Sequence, residues 1–219
     1  MQAVLLAGGA SSRFWPLNTR HKSLLQIQGK PLIRHTLDGL ADAGVDDAVI
    51  VQGPERDIEQ ELDAPDSITT EFVVQEEARG MGNALRKAEE HVDGAFLVTG
   101  PYRTGAGDLL AALQRAADGS DAAVAAAETA SPEQYGVLDI DGDRVTGIVE
   151  KPTAAAAPSR YRAVSTYLLT DAVFDALDAV EEHEYSFEDA LDRYMDTHDV
   201  GVARLDAREV LDDEVDLLV

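Results

Sequence analysis

Two adjacent glycines and two cations near the start of the chain have the types and spacing of a phosphate-binding loop. Gly8 and Gly9 follow an apolar run at residues 3–7, and Arg13 and Lys22 come soon after them. Glycines let backbone amides approach a phosphate closely, while the cations supply positive charge. The first 37 residues contain no aspartate or glutamate, although the chain carries 42 acidic residues in all. A local positive field inside an acidic shell predicts a site for an anionic ligand.

The residues around this loop form a longer motif. It reads Leu6-Ala7-Gly8-Gly9-Ala10-Ser11-Ser12-Arg13, then Pro16-Leu17, Lys22 and Gly29-Lys30-Pro31-Leu32. The motif resembles the opening signature of the sugar-phosphate nucleotidyltransferase family, in which Leu-Ala-Gly-Gly-x-Gly-x-Arg precedes Pro-Leu, a lysine and Gly-Lys-Pro-Leu. Such an enzyme joins a sugar 1-phosphate to the α-phosphorus of a nucleoside triphosphate and displaces pyrophosphate. The resemblance therefore implies cationic side chains and Mg²⁺ that stabilise charge on the phosphates.

The same resemblance implies a fold and a set of roles. The expected fold is a Rossmann-like three-layer α/β nucleotidyltransferase fold with a mainly parallel mixed sheet. The expected ligands are a nucleoside triphosphate, a sugar 1-phosphate and Mg²⁺. By position, Arg13 would hold the leaving pyrophosphate, and Lys22 would hold the attacking or transferred phosphate. The nucleotide-binding loop would consist of Leu6, Ala7, Gly8 and Gly9.

Two further motifs resemble the base and sugar segments of the family. Gln75 followed by Gly80 is similar to the family's glutamine and Gly-Thr-Ala-x-Ala, which implies that both residues read the base. A glutamine amide offers donors and an acceptor to a base edge. Tyr-Gly-Val around Gly136 and Val-Glu-Lys-Pro around Glu150 and Lys151 resemble the family's sugar-side pair. The implied roles are hydrogen bonds from sugar hydroxyls to Glu150 and a contact of Lys151 with the sugar phosphate.

Several positions depart from the family pattern. Ser11 replaces the third glycine of the loop, a variation that also resembles the molybdenum-cofactor guanylyltransferases. Pro101 stands where the family has a metal-binding aspartate, and Ala163 stands where it has a sugar-binding asparagine. Asp212 is the candidate for the second metal carboxylate. These departures leave open an alternative function, a binding or regulatory protein that has kept the phosphate site and lost turnover.

The elements that must position these residues alternate along the first half of the chain. Apolar runs predict buried strands, and segments with apolar residues every three to four positions predict helices. An Asp-Gly turn at 141–143 predicts a hairpin between residues 136–140 and 144–149. We expect one domain over residues 1–219, with a nucleotide-binding half at 1–127 and a sugar-binding half at 128–219. The predicted strands are 3–7, 48–51, 71–74, 95–98, 122–126 and 162–169, and the predicted helices are 31–43, 55–62, 82–91, 108–117, 171–181 and 187–195.

Composition limits the classes of protein to which the chain can belong. A net charge of −24 argues against a general nucleic-acid surface, which requires an extended basic footprint. Such a charge suits a salt-rich cytoplasm, because molar salt screens the self-repulsion of an acidic surface. The chain has no cysteine, which excludes disulfides and thiolate metal sites, and the run at 3–7 is too short to span a membrane. Residues 181–184 are expected to be a solvated helix end, and self-association into a homo-oligomer is left open.

Overall fold

A nine-stranded mixed sheet forms the centre of the protein. The computed structural model describes residues 1–9 and 20–206, so Arg13 and Asp212 lie outside the described residues. A separate two-stranded ribbon pairs β2 (Gln26–Ile27) with β3 (Lys30–Pro31). The strands of the main sheet are β1 (Gln2–Ala7), β4 (Asp47–Gln52), β5 (Thr69–Val74), β6 (Ala95–Thr99), β7 (Ala122–Glu128), β8 (Gly136–Asp141), β9 (Arg144–Glu150), β10 (Tyr161–Thr170) and β11 (Val200–Leu205).

The order of the strands gives one sheet that runs through both halves of the chain. The order is β5-β4-β1-β6-β10-β7-β11-β9-β8. The first four strands are parallel neighbours, while β10 pairs antiparallel with both β6 and β7. Strands β7 and β11 are parallel, and β9 is antiparallel to both β8 and β11. In the described sheet, only β9 and β10 therefore run in the direction opposite to that of the other strands. The expected mainly parallel mixed sheet is confirmed.

Helices cover both faces of this sheet and complete the three layers. Alternate residues of β1 face opposite layers: Leu5 packs with one cluster of buried residues and Val4 with the other. Burial on both faces explains why strands such as β1 are continuously apolar. The first cluster includes residues of α1 (Leu32–Asp42), α2 (Asp57–Glu61) and α4 (Ala106–Ala116), and the second includes residues of α3 (Met81–Arg86), α5 (Ala172–Asp178) and α6 (Ser186–Met195).

Most of the predicted elements are confirmed, but one helix, one helix end and the strands β2, β3 and β11 differ from the prediction. Each predicted strand and the Asp-Gly hairpin are present, with ends that differ by a few residues. The single helix predicted at 82–91 is instead α3 followed by a separate 3₁₀ turn at Glu89–His91. Residues 181–184 do not end a helix but connect α5 to α6. The strand β11 was not predicted, because its pairing with β7 depends on contacts between distant parts of the chain.

Strand β10 contains an irregularity in its pairing with β7. Its register with β7 shifts between Ala163 and Tyr167. Within this stretch Ser165 has a φ of 43°, in the left-handed region that favours glycine. Ser165 therefore has a backbone conformation in which a side chain is strained.

No helix in the two described ranges, 1–9 and 20–206, has the length and apolar character required to span a membrane.

Candidate active site

The carboxyl ends of the parallel strands bring two of the predicted nucleotide-binding residues together. Gly8 follows β1, and Gln75 follows β5 two strands away. A Cβ atom built on Gly8 would lie 2.1 Å from Oε1 of Gln75, so the amide oxygen packs directly against the glycine backbone. Ligands of open α/β sheets bind at this edge of the sheet. Gly8 and Gln75 therefore form one continuous surface there.

Gln75 is buried and makes two hydrogen bonds through its amide nitrogen. Its Nε2 donates to the carbonyl of Gly80 at 3.2 Å and to Oδ1 of Asn83 at 2.9 Å. Gly80 has a φ of 89° and precedes α3, and a Cβ on it would lie 2.4 Å from the carbonyl oxygen of Glu184. Glycine is therefore required at position 80 both by backbone conformation and by space. The structure therefore brings Gly8, Gln75 and Gly80 together at this edge of the sheet.

Lys22 lies at the start of a 3₁₀ turn, Lys22–Leu24, and contacts an aromatic ring. Its Nζ is 4.5 Å from the centre of the Tyr102 ring, within the range of a cation–π interaction. Tyr102 follows β6, the strand next to β1 in the sheet. The ammonium group is thus held at the same sheet edge as Gly8.

The cations of the acid-free segment do not all contribute to an anion site. Arg20 pairs with Glu61. Lys30 and Arg34 both bind Asp38, at 2.5 and 2.9 Å. Burial pushes the pKa of Asp38 upward, but the hydrogen bonds from Lys30 and Arg34 outweigh it and hold the pKa below its usual value. Acids from later in the chain therefore pair with three cations of this segment, which reduces the positive field predicted for it.

His21 connects the lysine turn to the glycine loop. Its backbone N–H donates to Asp57, and its Nδ1 accepts a hydrogen bond from the backbone N–H of Ser23 at 3.3 Å. Its ring also hydrogen-bonds the backbone of Gly9. Burial and the adjacent Lys22 charge lower the pKa of His21 to about 4. The imidazole is therefore neutral near pH 7 and acts as a structural connection between the two candidate phosphate-binding segments.

The predicted sugar-side residues form a second polar cluster. Gly136 and Glu150 are register partners in the β8–β9 hairpin, and a Cβ on Gly136 would lie 3.1 Å from Oε2 of Glu150. Lys151 has a φ of 45° and donates from Nζ to the Tyr185 hydroxyl at 2.8 Å. Its Nζ lies 3.5 Å from Oε1 of Glu150 and 4.4 Å from the centre of the Tyr185 ring. The hairpin end and the start of α6 thus hold a lysine and a carboxyl group side by side.

Carboxyl groups in this cluster have raised pKa values. Burial raises the pKa of Glu150 despite the nearby Lys151 charge. Burial also raises the pKa of Glu188, on the first turn of α6, to about 7, and the Glu150 and Asp189 charges add to this effect. A carboxyl group of this kind exchanges a proton near neutral pH.

The sheet edge does not provide the metal ligands that the resemblance implies. Pro101 is buried after β6 and has no ligating atom. Arg103 follows it, and its guanidinium donates to the Val164 carbonyl at 2.8 Å. Among the residues that the structure describes, no cluster of three or more His, Asp or Glu side chains could hold a metal ion. The candidate ligand Asp212 lies outside these residues, so the described edge of the sheet does not fit Mg²⁺.

Several residues of the site were not predicted from the sequence. Asn83 lies inside a recognised motif, and Tyr102 lies shortly after the end of β6, so position along the chain could have indicated both. Tyr185 and Glu182 have no such signal, because they reach the site from a loop distant in sequence. Arg162, whose guanidinium lies 4.4 Å from the centre of the Tyr135 ring, likewise has no signal in the sequence.

Comparisons with known proteins identify relatives of this chain and solved structures with the same fold. The family model described as nucleotidyl transferase matches residues 2–209. UTP–glucose-1-phosphate uridylyltransferase AglF of Haloferax volcanii is 30% identical over 204 residues, which cover 88% of this chain and 82% of that protein. The low-salt glycan biosynthesis nucleotidyltransferase Agl11 of the same organism is 29% identical over 83% of this chain, which spans 52% of its length. A structure of UTP-bound UGPase from Acinetobacter baumannii shares the fold, with a TM-score of 0.79 at 23% identity over 93% of this chain and 85% of that one.

Proposed function

Because the chain belongs to the nucleotidyl transferase family of sugar-phosphate nucleotidyltransferases, we propose that it transfers the uridylyl group of UTP to glucose 1-phosphate. The products are UDP-glucose and pyrophosphate. The choice of uracil and glucose rests on the name of the uridylyltransferase AglF, and the general reaction with a sugar 1-phosphate rests on the family.

The observation that carries this proposal is the contact between Gly8 and Gln75 at the sheet edge. The 2.1 Å separation between a Gly8 Cβ and Gln75 Oε1 means that the loop after β1 and the residue after β5 form one surface. A nucleotide with its base on Gln75 would place its phosphates along the loop at Gly8 and Gly9, towards Lys22. This placement fits the order of a nucleoside triphosphate from base to phosphates.

The reaction needs charge stabilisation more than covalent participation by the protein. An oxygen of the sugar phosphate forms a bond to the α-phosphorus, while the bond between that phosphorus and the bridging oxygen of the pyrophosphate breaks. The electron pair of the broken bond leaves with pyrophosphate. We assign the Lys22 ammonium and the amides of Gly8 and Gly9 to the phosphate oxygens, where fixed positive charge lowers the barrier. Arg13 is proposed to contact the leaving group.

The sugar phosphate is assigned to the second cluster. Glu150 is proposed to accept hydrogen bonds from sugar hydroxyls, and Lys151 to bind the phosphate while the Tyr185 ring and hydroxyl orient it. Gly136 leaves room for the sugar beside the carboxyl group. The surfaces for the two substrates then come from the two halves of the chain, which we propose act as one catalytic domain.

Pro101 supports a second candidate, a protein that binds the nucleotide without turning it over. The described residues do not fit Mg²⁺ at this position, so no step of the reaction is assigned to a metal held by them. A single measurement distinguishes the two candidate functions, because only an enzyme releases pyrophosphate.

The test is an assay of pyrophosphate release with UTP and glucose 1-phosphate in molar KCl, with and without MgCl₂. The high salt suits the net charge of −24, which we propose reflects work in a salt-rich cytoplasm. We expect turnover in the wild type and a 10- to 100-fold loss, roughly, in Lys22→Ala, the size expected for a hydrogen bond to a charged group. Lys30→Ala is the matched control, because Lys30 is paired with Asp38 outside the site. UTP binding by calorimetry without any pyrophosphate release would support the second candidate and overturn the first.

A further inference from the structure

We propose that Glu182 and Asn83 fix the orientation of the Gln75 amide and thereby select a base that presents a ring N–H. The proposal rests on the proposed function for the position of the base, and it adds two positioning residues that the motif does not assign. It concerns which atom of Gln75 faces the ligand, because the two ends of an amide have opposite hydrogen-bonding character.

The carbonyl of Gly80 fixes the amide from one side. A carbonyl oxygen can only accept, so the atom of Gln75 that lies 3.2 Å from it must be the nitrogen. Gly80 itself is held by its left-handed backbone and by the close approach of Glu184. The acceptor is therefore built into the rigid start of α3.

Glu182 fixes the amide from the other side through Asn83. The Glu182 carboxylate accepts a hydrogen bond from Nδ2 of Asn83 at 2.7 Å. Because a carboxylate offers no donor, Asn83 must turn its nitrogen towards Glu182 and its oxygen towards Gln75. That oxygen accepts from Nε2 of Gln75 at 2.9 Å. Two independent acceptors thus demand the same orientation of one side chain.

Arg79 supports the outer end of this chain of hydrogen bonds. Its Nη1 lies 3.8 Å from Oε1 of Glu182, and its other side is bound by Glu77. Together, residues 182–184 and the segment from Ala78 to Gly80 line a surface pocket of about 480 Å³. The loop between α5 and α6 therefore closes over the start of α3, although the two segments are distant in sequence.

The remaining atom of Gln75 is an acceptor that faces the nucleotide loop. Nε2 donates both of its hydrogens, one to Gly80 and one to Asn83, and Oε1 points towards Gly8. Over residues 1–9 and 20–206, Oε1 accepts no hydrogen bond. An acceptor held in this place matches the N3–H of uracil or thymine and the N1–H of guanine. Cytosine and adenine instead present a lone pair at their ring nitrogen, so CTP would leave both groups unsatisfied.

The experiment compares UTP with CTP, which differ at N3 and at the neighbouring exocyclic group. The ratio of kcat/KM for UTP to that for CTP is measured in the wild type and in Glu182→Ala, Glu182→Lys, Glu182→Gln and Asn83→Ala, with glucose 1-phosphate and molar KCl. Dissociation constants of the two nucleotides are measured by calorimetry on the same proteins. Glu181→Ala is the matched control, because it removes the same charge one residue away and no hydrogen bond of the chain described above.

We expect the wild type to prefer UTP, and Glu182→Ala and Asn83→Ala to lower the ratio about tenfold as the amide becomes free to turn. Glu182→Lys should lower it further, because a donor at this position requires Asn83 to reverse. Glu182→Gln should restore the wild-type ratio, since its amide oxygen can still accept from Asn83. If Glu182 and Asn83 had only a structural role, their loss would lower kcat/KM equally for UTP and CTP and leave the ratio unchanged.

An unchanged ratio in folded Glu182→Ala, Glu182→Lys and Asn83→Ala would overturn the proposal, as would a wild type that prefers CTP. Failure of the proposed function would give a different result, the absence of turnover. If no pair of substrates is turned over, the ratio of the two dissociation constants still shows whether Glu182 and Asn83 control base selection.

Discussion

The ammonium group of Lys22 lies 4.5 Å from the centre of the Tyr102 ring. The two residues belong to different segments: Lys22 begins a 3₁₀ turn, and Tyr102 follows β6. A carbon atom of the Tyr102 ring also lies 3.1 Å from the position of a Cβ on Gly100, so glycine allows the ring to fold back over the strand end. The ring therefore holds a flexible lysine at the edge of the sheet where phosphates are proposed to bind.

Removing this ring should weaken nucleotide binding without abolishing turnover. A cation–π contact at a partly exposed site contributes roughly 0.5–1 kcal/mol, so Tyr102→Leu should raise the KM for UTP about two- to fivefold. Tyr102→Phe keeps the ring face and should leave KM close to the wild-type value. Steady-state kinetics of pyrophosphate release measure both variants. Equal effects of Leu and Phe would show that the hydroxyl, and not the ring, is the important group.

The sugar side offers a separate test through Tyr185. Lys151 donates to its hydroxyl at 2.8 Å and also lies 4.4 Å from the ring centre. Tyr185→Phe should remove the hydrogen bond and keep the ring, raising the KM for glucose 1-phosphate roughly three- to tenfold. The KM for UTP should not change, because the base is proposed to bind elsewhere, at Gln75 and Gly80. A rise in the KM for UTP alone would place Lys151 outside the sugar-phosphate site.

The bulge in β10 predicts that a single substitution will stabilise the protein. Ser165 is exposed and has a φ of 43°, where a side chain is strained and glycine is not. Ser165→Gly should raise the free energy of unfolding by about 0.5–1 kcal/mol, since the relief of strain exceeds the entropy that glycine adds to the unfolded chain. Urea unfolding in molar KCl gives this value. Ser165→Ala is the control and should not stabilise, because alanine is strained at the same φ.

Much of this fold could be predicted because its signals are local. Strands β1 and β7 are continuous apolar runs, and the Asp-Gly turn at 141–143 marks the hairpin without reference to the rest of the chain. By contrast, β11 contains Gly201 and Arg204, and it forms a strand because β7 lies beside it. No local pattern reports such a pairing.

The residues of the candidate site fall into the same two groups, those with a local signal in the sequence and those without one. Gly8, Gln75 and Gly80 lie in motifs of recognisable spacing, and the structure brings them together. The hydrogen bond between Asn83 and Glu182 joins residues 99 positions apart, and Lys30 is paired with Asp38 rather than left for a ligand. Contacts of this kind depend on how α5, α6 and α1 pack, so composition and spacing could not predict them.

His21 predicts how stability depends on pH. Its Nδ1 must stay unprotonated to accept from Ser23, and burial lowers its pKa to about 4 from an ordinary value of 6.5. A group whose pKa is lower in the folded state stabilises the fold above its unfolded pKa, and this contribution is lost as the pH falls through the folded pKa.

The pH window of this loss therefore runs from about 6.5 down to about 4. As the pH falls through this window, protonation of His21 should lower the unfolding free energy of the wild type by up to about 3 kcal/mol. His21→Asn supplies an acceptor for the same N–H and cannot take up a proton, so its stability should fall less over that window. Urea unfolding at pH 7.5, 5.5 and 4.5 in molar KCl, which screens the other charges, isolates the difference. Parallel pH curves for the two proteins would show that the pKa of His21 is the same in the folded and unfolded states, which would contradict a pKa lowered by burial.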